Sequence, residues 1–174
     1  MKMKQIVKLQ CYNSPCGEII LGSIGNELCL CDWNEKPCAE KNKRRIVRIL
    51  NAEFWEESSD VIKLTIKELN EYLAGERKAF DIPLRLVGSE FQQSVWKALL
   101  NIPYGETRTY MQIASMVNNC EGVRAAAQAI GANPISIIVP CHRVIGSDGT
   151  LTGFAGGLDA KQYLLALEKN PNSF

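Results

Sequence analysis

The chain has one histidine, His142, among 174 residues. Any thiol that an imidazole activates must therefore lie near this single position. Long apolar runs are also missing: none approaches the roughly 20 residues needed to cross a membrane. The start, Met1-Lys2-Met3-Lys4-Gln5, leads into no signal-type apolar block, so a cytoplasmic protein with no membrane partner is expected. There is no excess of charge of either sign. The net charge is +1, with 14 basic and 13 acidic residues before Gly88 and 6 and 6 from it onward, which excludes a basic domain in either half. A nucleic acid, if bound, must be held by a few placed groups, with a modest salt dependence. An even disulfide framework is absent too, since the seven cysteines are odd in number and reduced thiols are expected. Cys29-Leu30-Cys31 and Cys38 lack the C-x2-C pair of structural zinc, and no metal is expected there.

What is present is an ordinary globular composition, 46% hydrophobic and 22% charged, enough for one large or two small domains. Residues 6–33 read as strands, with Gly25-Asn26 as a hairpin turn between 18–24 and 27–33. Apolar residues at helical spacing predict a helix over 42–57 and another over 62–72 that stops at Gly75. The run Lys41-Asn42-Lys43-Arg44-Arg45 reads as the solvated face of the first helix rather than as a nucleic-acid patch. Phe80 to Leu86 is extended, an edge strand or a linker. A small α/β domain over 1–87 follows, with no residue in it that looks chemical.

From 88 to 174 the signals are denser. Ser89 with Gln92, and Thr109 with Gln112, are capping-box patterns that open two helices, the first over 91–100. Asn118 to Gly122 reads as a turn. Val123 to Ile130 is an alanine-rich helix closed at Gly131. Two short helices joined by a tight turn suggest a helix-turn-helix, with Arg124 as the only charge on a helix of small side chains. A tightly packed helix with one solvated arginine would leave the same pattern. Asn133-Pro134 breaks that helix, Ile135 to Val139 is an apolar run, Thr152 to Gly157 is a flexible loop, and Asp159 to Glu168 is the last helix.

The apolar run ends in Pro140-Cys141-His142-Arg143. Proline cannot donate to a sheet ladder, so the strand expected before it must end there and release Cys141 into an irregular turn beside the imidazole. Cys141 then reads as a nucleophile with His142 as its base. Such a base needs an orienting acid. Glu106, Glu121, Asp148, Asp159 and Glu168 are candidates between which spacing does not choose.

Pro140-Cys141-His142-Arg143-Val144, with Asn133-Pro134 before it and Thr152-Gly153-Phe154-Ala155-Gly156-Gly157-Leu158 after it, strongly resembles the O6-alkylguanine-DNA alkyltransferases. The likeness spans about Phe91 to Glu168 and includes Pro103-Tyr104-Gly105-Glu106-Thr107 and Val123-Arg124-Ala125. It implies a ribonuclease-H-like α/β domain followed by a mostly α domain with a winged-helix-like helix-turn-helix. It also implies irreversible, single-turnover transfer of an alkyl group from O6-alkylguanine in double-stranded DNA, and possibly from O4-alkylthymine, to Cys141. In that reading His142 acts through a water, Glu168 orients His142, and Asn133 holds the turn before the site. Tyr110 crowds the target phosphate and assists the leaving base, Arg124 fills the space of the flipped nucleotide, and Phe154 and Ala155 line the base pocket. The helix-turn-helix is expected in the minor groove, where sequence is poorly read. No cofactor is implied, and a monomer is expected. Ala127 and Gln128 stand where relatives often carry glycine, and Phe154 replaces a common tyrosine. A non-catalytic damage sensor and a cysteine hydrolase are the rival readings, although Cys141 argues against the sensor.

Overall fold

The computed structural model describes residues 3–118 and 122–173. The Glu121 candidate and most of the turn expected over 118–122 lie outside the described residues. Three strands, β1 (Gln5–Ser14), β2 (Gly17–Ile24) and β3 (Glu27–Trp33), form an antiparallel meander. Gly25, with φ 54°, makes the tight turn expected between the second and third. Helix α1 (Pro37–Leu50) crosses over to β4 (Ala52–Glu56), which pairs in parallel with β1, so the sheet order is β3-β2-β1-β4. Helix α2 (Asp60–Leu73) follows, with the Ser59 side chain accepting from Ile62 N as its N-cap.

The helix expected over 42–57 is two elements. Asn51 adopts φ 49°, a left-handed conformation that stops α1, and Ala52–Glu56 is then free to pair with β1. The apolar positions Phe54 and Trp55 fit either period, and pairing with β1 decides between them. The basic run is also only half solvated. Lys41 and Arg44 are exposed, but Asn42 is buried and Arg45 turns inward.

The second half is helical: α3 (Glu90–Leu100), α4 (Tyr110–Met116), α5 (Gly122–Gly131) and α6 (Leu158–Lys169). Both expected capping boxes are formed, at Ser89 with Gln92 and at Thr109 with Gln112. A parallel pair, β5 (Arg108–Thr109) with β6 (Val144–Ile145), sets the start of α4 beside the segment that follows Cys141.

Two later segments lie along the outer edge of β3, one from the end of the first half and one from the second. Leu28 N donates to Pro83 O (2.8 Å) and Arg85 N to Leu28 O (2.8 Å). Three residues further on, past a bulge in the β2–β3 register, Cys31 N donates to Pro134 O (2.9 Å) and Ser136 N to Cys31 O (2.7 Å). Two segments thus cover an edge that would otherwise present unpaired groups, and the second leads directly to Cys141. One continuous core runs from Ile19 and Tyr72 in the first half to Val139 and Leu164 in the second. No helix among the described residues is long and apolar enough to cross a membrane.

Candidate active site

The apolar run before Cys141 is not a strand. Only Ile135 makes a bridge, to Cys31, and the chain then winds through Val139 N to Ile135 O (2.9 Å) and Cys141 N to Val139 O (2.8 Å). Ile137 is forced to φ 72°, which a β-branched residue adopts only when its surroundings impose it. Two constraints do so. The Ile137 side chain is buried, and Asn133 clamps the turn, accepting from Ile135 N (3.0 Å) through Oδ1 and donating from Nδ2 to Val139 O (2.9 Å). Cys141, His142 and Arg143 then form one 3-10 turn, which lets neighbouring side chains share a site that an extended strand would separate.

Burial pushes the Cys141 thiol above its ordinary pKa of 9.0, while the Asn133 and Ser136 side chains pull it back. The resting sulfur is therefore a thiol, which could attack only once a base had taken its proton.

Geometry selects the acid that spacing left open. His142 Nε2 lies 2.8 Å from Glu168 Oε1, with both side chains buried. Arg143 Nε reaches Glu168 Oε2 (2.9 Å) and its Nη2 reaches Oε1 (2.9 Å). Tyr72 Oη donates to Oε1 (2.6 Å) and Gly105 N to Oε2 (3.1 Å). Burial alone would raise the Glu168 pKa, but the hydrogen bonds from His142 and Arg143, and then their charges, outweigh it and hold it at about 2. A carboxylate is a poor guest near a helix C-terminus such as that of α6, and the two-pronged Arg143 contact offsets this.

Since an ionised carboxylate only accepts, the proton of neutral His142 must sit on Nε2. Nδ1 then carries the free lone pair, and it has no partner among the described residues. Burial first, and then the Arg143 and Lys161 charges, lower the His142 pKa from 6.5 despite Glu168. The ring is a neutral base at physiological pH. The other candidates lie elsewhere: Glu106 pairs with Arg108, Asp148 holds Thr150, and Asp159 is exposed in the first turn of α6.

A pocket of about 630 Å³ opens onto Cys141, bounded by Ala127 and Ile130 of α5, by Tyr110, and by Thr152 to Ala155. Asn133, Phe154 and Ala155, three residues singled out in the sequence, thus line one cavity with the thiol. Tyr110 opens α4 at the rim, where its hydroxyl accepts from Thr152 Oγ1 (3.0 Å). Arg124 lies on the exposed side of α5, outside the pocket lining. Among the described residues no group of three or more His, Cys, Asp or Glu side chains is placed to hold a metal ion.

Several supporting residues escaped the sequence reading. Tyr72, on the core face of α2, contacts both Glu168 and, at 3.4 Å, His142 Nε2. Ser136 lines the pocket, with its hydroxyl buried. Arg45 donates to Ala132 O (2.6 Å) just past α5 and lies 5.3 Å over the Trp96 ring, whose Nε1 donates to Ala129 O (2.8 Å). A cation placed there suits the C-terminal end of α5. Nothing local marked Tyr72 and Arg45, because each acts on partners more than 30 positions away, whereas Ser136 lies only five residues before Cys141 within an apolar run.

Comparison with known proteins agrees with this layout. A family model described as "6-O-methylguanine DNA methyltransferase, ribonuclease-like domain" matches residues 7–86, and one described as the DNA binding domain of the same proteins matches residues 90–170. A methylated-DNA–protein-cysteine methyltransferase of Methanosarcina acetivorans is 46% identical over 157 residues, which cover 90% of this chain and 95% of that one. Its counterpart in Haemophilus influenzae is 41% identical over 163 residues, covering 92% and 85%. The crystal structure of the Mycobacterium tuberculosis O6-methylguanine methyltransferase superposes with a TM-score of 0.79 at 41% identity, over 94% of this chain and 93% of that one. The same organism's protein in complex with DNA gives 0.78 at 40%, over 95% and 93%. With both halves matched in order and the relatives covered nearly end to end, the chain belongs to the O6-methylguanine DNA methyltransferase family.

Proposed function

We propose that Cys141 is the acceptor of the alkyl group in a single-turnover repair of O6-alkylguanine in double-stranded DNA. The observation that carries this is the juxtaposition of a buried thiol on a pocket with a histidine whose Nδ1 is left basic by Glu168. In the reaction the Cys141 proton passes through one bridging water to His142 Nδ1, and the sulfur attacks the saturated carbon on O6. The S–C bond forms as the C–O bond breaks, and the departing guanine takes up a proton. The net change exchanges a thiol proton for an alkyl group. The thioether that results is a poor leaving group, so each molecule works once.

The target carbon lies inside a duplex, so the base must leave the stack, at a cost of a few kcal/mol that is lower for a mispaired lesion. Helix α5 forms one wall of the pocket and presents small residues, which suits approach through the minor groove with Arg124 taking the vacated space. This reading keeps the division near residue 87, supported by the two matched segments, and a monomer working in the cytoplasm without a membrane partner.

The direct test is the intact mass after mixing with a duplex that carries one O6-methylguanine. One added methyl, mapped to Cys141 by peptide mass, is expected; tight binding with no mass change would overturn the acceptor role. Arg124→Ala is expected to slow repair of duplex DNA by on the order of tenfold while leaving reaction with a free O6-substituted guanine unchanged, since only the duplex pays for extrusion. Equal losses on both substrates would remove Arg124 from that role.

A further inference from the structure

The pocket loop is braced from behind by the first half of the chain. Trp33 ends β3 almost wholly buried, its Nε1 donating to Cys16 O (3.1 Å) and its own backbone N to Asp32 Oδ1 (2.9 Å). The indole is therefore held at Nε1, and the main chain that carries it is tied down beside Asp32. Phe154 meets it edge to face at 5.0 Å between ring centroids. Gly156 lies flat against the same indole, so close that a Cβ there would fall 2.5 to 2.7 Å from three of its ring atoms. Cys38 adds a weak thiol contact to Ala155 O (3.9 Å). Phe154 and Ala155 line the pocket on their other side, whereas Trp33 does not reach it.

We propose that Trp33 is a positioning residue that sets the width of the alkyl pocket from outside, by fixing how far Phe154 and Ala155 stand from Cys141. The size of the alkyl group accepted is then decided partly in the half of the chain that carries none of the reacting atoms. A close-packed contact of this kind transmits a change of shape, because the interior has no slack to absorb it. A smaller ring at 33 lets the loop retreat and widens the pocket. A methyl group on residue 156 overlaps the buried indole, and a loop that moves off the indole to relieve the overlap carries Phe154 and Ala155 toward the thiol.

This inference rests on Cys141 being the acceptor, and the experiment separates the two. Single-turnover rates are measured on two duplexes, one with O6-methylguanine and one with O6-benzylguanine, for the wild-type protein, Trp33→Phe, Gly156→Ala and the double variant. Trp33→Phe is expected to raise the benzyl-to-methyl rate ratio by on the order of tenfold, and Gly156→Ala to lower it by a similar factor. In the double variant the smaller ring makes room for the methyl group, so the methyl-transfer rate should exceed that of Gly156→Ala by on the order of tenfold. Equal scaling of both substrates in the single variants, or a double variant no faster than Gly156→Ala, would overturn the proposal. Thermal melts check that Trp33→Phe is folded; should it not be, Gly156→Ala decides alone, since it lies on a half-exposed loop, leaves Trp33 in place and reads the same contact from the other side. A wild-type protein that gains no methyl on Cys141 is a different result, and it removes the acceptor reading itself.

Discussion

Cys141→Ala is expected to leave no detectable alkyl transfer while retaining binding to alkylated duplex. The side chain is small, so its removal leaves little cavity, and the clamp that shapes the turn belongs to Asn133 and survives. No other described thiol can take over: Cys11, exposed on β1 and with its pKa raised, first by burial, does not line the pocket. Burial pushes Cys16 and Cys38 up to about 11 and Cys29 up to about 12, and pushes Cys31 higher still. None of these four lines the pocket, and none has an imidazole beside it. Intact mass after incubation with O6-methylguanine duplex, together with a gel-shift titration, checks both halves of the expectation. A methylated Cys141→Ala protein would show that the acceptor lies elsewhere.

Glu168→Gln is expected to cost both stability and rate. Glutamine leaves the Arg143 guanidinium buried without its counter-charge, a loss on the order of 3 kcal/mol, or roughly 10 °C in Tm for a chain of this size. The rate should fall further, by about 10² to 10⁴, because a neutral amide no longer fixes the Nε2–H tautomer of His142 and no longer offsets the charge that forms on the ring. The pH dependence gives the finer check. In the wild type the lowered His142 pKa keeps the ring neutral, so the rate should stay level on acidifying through 6.5, where an ordinary histidine would begin to protonate. In the variant the rate should instead climb with pH toward the range where the thiol ionises without help. An unchanged rate profile would count against Glu168 as the orienting acid.

The same carboxylate governs acid stability. Its folded pKa, about 2, is depressed from an ordinary 4.5, so its contribution is fully present above pH 4.5 and is lost as pH falls through 2. The variant should lack that limb of its acid unfolding curve.

Much of the site was legible in the sequence because its parts are contiguous. A proline that must break a run, a cysteine and the lone histidine stand in three successive positions, and Asn133 bonds to residues only two and six places away. Capping boxes at Ser89 and Thr109 were legible for the same reason, since a cap bonds within its own first turn. Where local preference is ambiguous the reading failed. Phe54 and Trp55 fit a helix as well as a strand, and Ile135 to Val139 are apolar because they are buried, whatever their backbone does.

By itself, then, the sequence singled out the proposed nucleophile, the histidine beside it, the break that places them in one turn, and the order of a sheet-bearing half before a helical one. The tertiary structure decided which acid serves the base, and it recruited Tyr72, Arg45 and Trp33 from the half that looked chemically silent. The reason is physical. A buried carboxylate is ionised only if distant chain segments bring it donors and a counter-charge, and a pocket wall stands only where something packs behind it. Both conditions are met across sequence separations that no local pattern encodes.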